Sequence, residues 1–149
     1  MNTLINSIIS SFVATVALSV VMIFKSMMGL MPELNVITML GNMMGGSLAI
    51  GWMAHFIIGT VVWGAVFALL SRSLPGKIRV STGMVFGAAA WLLMMIFVMP
   101  MAGAGLFGLR LGMAAPVMTL MLHALYGAIL ALTFNWLQKP KATGAIQAS

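Results

Sequence analysis

Cysteine is absent from this chain, and the acidic residues are represented once, by Glu33. The first absence excludes disulfides, thiolate-bound metals and thiol catalysis. The second excludes chemistry that needs two carboxylates. It also leaves any buried cation only one side-chain carboxylate to pair with. Charge of either sign is scarce, at 5% of 149 residues, against about 25% in soluble domains. No nucleophile–base set is spaced for acyl transfer. The glycine-rich stretches lack the strand-to-helix setting of a nucleotide loop.

What is present is apolar. Hydrophobic residues make up 62% of the chain and the mean hydropathy is +1.16. A water-soluble fold of this size would bury only about 60–70% of its unfolded surface, so the solvent for most of this chain is lipid. The formal net charge is +6. Its cations stand mostly at the ends of apolar runs, which points to topology control and anionic headgroups and not to nucleic acid. The N-terminal stretch has no basic leader and a long apolar run, so it reads as a retained first span.

A helix crossing the hydrocarbon needs about 20 mostly apolar residues. Four segments qualify: 8–29, 47–71, 80–100 and 113–137. They are apolar on every side, unlike the alternating strands of a barrel. The expected fold is therefore an all-α integral membrane four-helix bundle, with a tail at 138–149. "RSLPGKIR" (72–79) and the start of the tail hold five of the seven cations. Positive charge marks the cytoplasmic side, so both termini are expected there.

Of the two outer connections, residues 30–46 read as a short interfacial helix with Pro32 in its first turn. Val36, Ile37, Leu40, Met43 and Met44 form its apolar stripe, and Gly45 and Gly46 its stop. Residues 101–112 read as a flexible connector. The chain also reads as a two-helix hairpin used twice. Met31-Pro32 matches Met99-Pro100, and His55/Gly59 matches His123/Gly127. "WGAVFALL" and "YGAILALT" align better in a second register that conflicts with the first. Parallel repeats of this kind would be related by an axis along the membrane normal.

Intramembrane ionisable residues are candidates for function. By helical rise, His55 and His123 both lie about 25 Å from the inner boundary, in one layer of the outer half. Each sits on a stripe of small residues: Gly51/His55/Gly59 and Thr119/His123/Gly127. One reading makes them neutral hydrogen-bonding groups between helices. A second makes them axial ligands of one b-type haem, and a third places them on a proton or ion pathway. Seventeen methionines add a Cu(I) reading, although thioethers also fill apolar cores. Lys25 is the one cation well inside a span. A buried ammonium needs a partner, so Lys25, Glu33 and His55 are expected to form a polar centre with His123. Gly83 and Gly87, with Gly51, Gly59 and Gly127, are expected to be helix-packing positions.

The stretches "KSMMGLMPEL", "GWMAHFIIGT", "MPMAGAGLFG" and "APVMTLMLH" together resemble a family of small, uncharacterised bacterial four-span membrane proteins, catalogued as a domain of unknown function. The resemblance covers about residues 5–137. It implies a bacterial inner-membrane location and carries no activity, substrate or site residue. Two functional readings follow from the residues. One is a non-enzymatic accessory subunit or small-solute or ion passage, with the lipid bilayer and a membrane protein or second copy as partners. The other is a membrane cytochrome with haem b between His55 and His123.

Overall fold

In the computed structural model, which describes residues 2–74 and 76–138, four helices are long and apolar enough to cross a membrane. They are α1 (Thr3–Met27), α3 (Leu48–Arg72), α4 (Val80–Met101) and α5 (Ala114–Leu137). A fifth, α2 (Val36–Met43), lies between α1 and α3. The protein is an all-α, multi-pass membrane bundle. The face where α1 starts and α3 turns into α4 is called here the terminal face. The opposite face, with residues 28–47 and 102–113, is the loop face.

The helix ends follow local chemistry. α1 begins at Thr3, not near Ile8, because the Asn2 side chain accepts from the Leu4 amide and caps it. The added turn carries Asn6 and Ser7, which are buried inside the bundle. Hydropathy underrates such a turn. α1 stops at Gly29, whose φ of 66° only glycine adopts freely. α2 starts later than Pro32 because Asn35 is its cap, accepting from the Thr38 amide at 3.1 Å. The 102–113 connection is ordered, contrary to expectation. Leu106–Leu111 form tight 3₁₀ turns, with Gly108 buried against Met99 and Ala115, and Phe107 packs on Trp91.

The most extensive packing in the bundle is α4 on α5, followed by α1 on α3 and α1 on α5. On α4, Gly83 backs onto the carbonyl of Gly127, and Gly87 onto that of His123, with no room for a Cβ at either. These contacts let the two backbones meet, as small-xxx-small pairs do in lipid. Gly51 abuts the Ile37 carbonyl of α2, and Gly59 abuts Thr15 of α1.

Among the described residues, α3 and α4 make no comparably close approach. Aromatic side chains stand between them. Trp63 packs edge-on against Phe86 at 5.6 Å, Phe67 against Phe86 at 5.2 Å, and Phe67 against Phe134 at 5.2 Å. A parallel duplication would pair α1 with α4 and α3 with α5, making α3–α4 the image of α1–α5. The packing lacks that symmetry, because bulky rings fill one contact and small residues such as Ala14 the other.

Candidate functional site

The splay of α3 from α4 leaves a cavity of about 310 Å³ in the half of the bundle nearer the loop face. All four spans line it: Thr15, Leu18 and Met22 from α1, His55, Gly59 and Trp63 from α3, Met94 and Phe97 from α4, and Thr119, His123 and Tyr126 from α5. Trp63, of the aromatic layer, lines its wall on the terminal-face side. By helical rise, His55 lies about 10 Å and His123 about 14 Å inside the loop-face ends of their helices. The two imidazoles share this cavity.

Each imidazole is oriented by one bond. His123 Nδ1 lies 2.8 Å from the carbonyl of Thr119 one turn earlier. A carbonyl only accepts, so Nδ1 carries the hydrogen and Nε2 is left as an acceptor. His55 Nε2 lies 3.1 Å from Ser19 Oγ. That hydroxyl has a shorter contact, 2.7 Å, to the Thr15 carbonyl. Its single hydrogen goes there, and His55 Nε2 donates to Ser19. Each ring thus keeps one nitrogen without a hydrogen-bond partner among the described residues.

Two wide π-helical turns frame the cavity, at Ile57–Val62 in α3 and Met94–Val98 in α4. Such turns add a residue and disturb the regular hydrogen-bond ladder. Gly59, inside the first, receives the Tyr126 hydroxyl on its carbonyl at 2.6 Å. Tyr126 therefore ties α5 to the irregular part of α3. On the α4 side, Trp91 Nε1 donates to Pro116 O at 3.1 Å and Thr119 Oγ1 at 3.0 Å.

The expected polar centre divides in two. Lys25 and Glu33 are not ion-paired in the described residues. The Lys25 ammonium instead donates to three backbone carbonyls, of Leu30, Met31 and Leu34, at 3.0, 3.0 and 2.8 Å. These three bonds use all its hydrogens. The turn after α1 folds over the ammonium, with Met31 in the left-handed region at φ 48°. Glu33 is exposed and lies outside ion-pair distance. Lys25 lines a separate cavity of about 290 Å³ beside Trp52, near the loop face. The physical reason is distance along the chain: a tight turn presents its own carbonyls sooner than a carboxylate on its outer side.

Bis-imidazole haem ligation would need two ring nitrogens turned to one iron. His123 fits, with Nδ1 held by a carbonyl and Nε2 free. His55 does not fit through Nε2, which Ser19 occupies. For a metal, no group of three or more His, Cys, Asp or Glu side chains is assembled among the described residues. Met22 and Met94 add thioethers to the cavity wall.

Three features were not read from the sequence: the buried polar face of α1, the Tyr126–Gly59 bond and the Trp91–Thr119 bond. The first had a signal, since Ser7, Ser11, Thr15 and Ser19 recur every fourth residue. The other two depend on π turns and helix crossings that no spacing announces.

A family described as Family of unknown function (DUF6789) matches residues 1–144. No curated protein and no solved structure matches the chain.

Proposed function

The chain belongs to the DUF6789 family of unknown function, and from that premise we propose that it is a non-enzymatic membrane protein that passes a small uncharged solute through its bundle. The observation that carries this reading is the cavity lined by all four spans. Ligand sites are typically concave, mostly apolar and furnished with a few oriented polar groups. This one has two imidazoles, two threonines and a tyrosine on an apolar wall. It holds no carboxylate, ammonium or guanidinium, so an ion would enter unpaired at high cost.

The test uses reconstituted vesicles and the probes water, ammonia and glycerol, followed by light scattering and an internal pH dye. Wild-type protein should speed at least one probe relative to empty vesicles. Leu122→Trp, which adds bulk to the cavity wall, should remove that increment while the protein stays folded. Flux equal to empty vesicles for all three probes would sink the reading.

The cytochrome reading has one observation in its favour, the free Nε2 of a carbonyl-oriented His123. A Soret band that shifts on reduction of purified protein would establish it in place of passage.

The proposed location is a bacterial inner membrane with the terminal face in the cytoplasm. Arg72, Lys77 and Arg79 support this, since Lys and Arg concentrate in cytoplasmic loops. Reporter fusions at residue 76 and after the C-terminus should both read as cytoplasmic. A periplasmic signal from either would reverse the orientation.

A further inference from the structure

Most of the wall of the four-span cavity is interior. Of the residues that line it, only Ile58, Leu93 and Phe97 are exposed, at 38, 47 and 59%. Ile58 belongs to α3 and the other two to α4, the pair that stands apart. The wall therefore reaches the outside of the bundle along that gap. By helical rise Ile58 lies about 15 Å and Leu93 about 12 Å inside the loop-face ends of their helices. A hydrocarbon core about 30 Å thick surrounds a bundle at that depth, so the gap faces lipid tails and not water.

The gap is built into both helices. Ile58 sits in the π-helical turn of α3 and Phe97 in that of α4. Turns of this kind interrupt a regular helix and collect at functional sites. On the loop-face side the wall includes Val36 and Leu40 of α2, neither of them exposed.

The polar groups of the cavity accept hydrogen bonds. Thr15, Thr119 and Tyr126 donate their hydroxyl hydrogens to the carbonyls of Ser11, Ala115 and Gly59, at 2.8, 2.8 and 2.6 Å. His123 Nε2 is left as an acceptor. A head group meets these atoms by donating a hydrogen. The space of about 310 Å³ is roughly twice an apolar cavity that takes benzene. A ring fits it, and a long chain attached to that ring must trail outside.

We infer that the gap between α3 and α4 is a lateral portal, through which a lipophile with a phenol-like hydroxyl head reaches the cavity from the hydrocarbon. The hydroxyl donates to His123 Nε2, and the tail leaves between Ile58 and Phe97. This gives the cavity a ligand drawn from the bilayer. It rests on the passage reading only in treating the cavity as a receiving site.

The reporter is Trp63, which lines the cavity, whereas Trp52, Trp91 and Trp136 do not. Protein in phosphatidylcholine vesicles is titrated with bromophenol and with a dodecyl bromophenol, whose bromine quenches tryptophan fluorescence. The methyl ether of each, which has no hydrogen to donate, is the control for simple partition into lipid. Both phenols should half-quench at on the order of tenfold lower membrane concentration than their ethers, the worth of one good hydrogen bond. The preference should disappear in Trp63→Phe, which removes the reporter, and in His123→Phe, which removes the acceptor. Wild-type protein that does not distinguish phenols from ethers overturns the proposal, as does a preference that survives in His123→Phe. A preference shown by bromophenol alone overturns the portal, because a tail that could leave between the helices would not prevent binding. Accelerated flux of water, ammonia or glycerol without any phenol preference would defeat this inference and leave passage standing. Phenol preference in vesicles no more permeable than empty ones supports the portal and defeats passage.

Discussion

Replacing Gly127 with leucine should unfold the α4–α5 pair or prevent its assembly. A Cβ at Gly127 would collide with the Gly83 carbonyl and approach the Gly87 amide, and a Cβ at Gly83 would collide with the Gly127 carbonyl. Backbone cannot swing aside as a side-chain tip does, so the helices must separate. Overpacked cores lose about 1–3 kcal/mol, and more where the structure cannot yield. Gly127→Leu belongs at or beyond the top of that range, because parting the helices also forfeits their close packing in lipid. Thermal unfolding in detergent, monitored by circular dichroism and size exclusion, is the measurement. Ala89→Leu, on the exposed side of α4, is the control and should change little. A Gly127→Leu variant as stable as that control would show that the contact does not govern assembly.

Lys25→Met should destabilise the loop face by about 2 kcal/mol, on the scale of hydrogen bonds made by charged groups. The three carbonyls of Leu30, Met31 and Leu34 would lose their common donor, and the left-handed Met31 would lose the contact that holds it. Glu33→Gln should be close to neutral, because its carboxylate is exposed and is not within ion-pair distance of Lys25. The double variant should then equal the sum of the singles. A coupling above roughly 0.5 kcal/mol would mean that the carboxylate supports Lys25 after all. Lys25→Arg should rescue only partly, since a planar fork does not match three converging carbonyls.

These two predictions differ in how far the residues announced them. Gly83 and Gly87 with Gly127 were legible because lipid gives helices no hydrophobic reason to associate, and small residues at four-residue spacing are the remaining signal. Lys25 was legible as an anomaly and its partner was not. The unlike-charge rule selected Glu33, whereas the ammonium met backbone carbonyls, which every residue carries and no sequence distinguishes. His55 and His123 show the same division. Their shared layer followed from counting residues to the nearest cations, but their bonds to Ser19 and Thr119 required the helix faces to be known.

By itself the sequence determined that the chain is an all-α membrane protein with four crossing helices, because hydropathy over about 20 residues is a property of composition. It also determined that the chain offers no thiol and a single side-chain carboxylate. Only the tertiary structure decided that α3 and α4 stand apart, that a cavity opens between four spans, and that the serines of α1 face inward with three polar atoms unpartnered. The reason is that a helix apolar on every side carries little record of which side meets protein and which meets lipid. That choice is made by packing, where aromatic bulk at Trp63, Phe67 and Phe86 holds one pair of helices open and glycines draw another pair together.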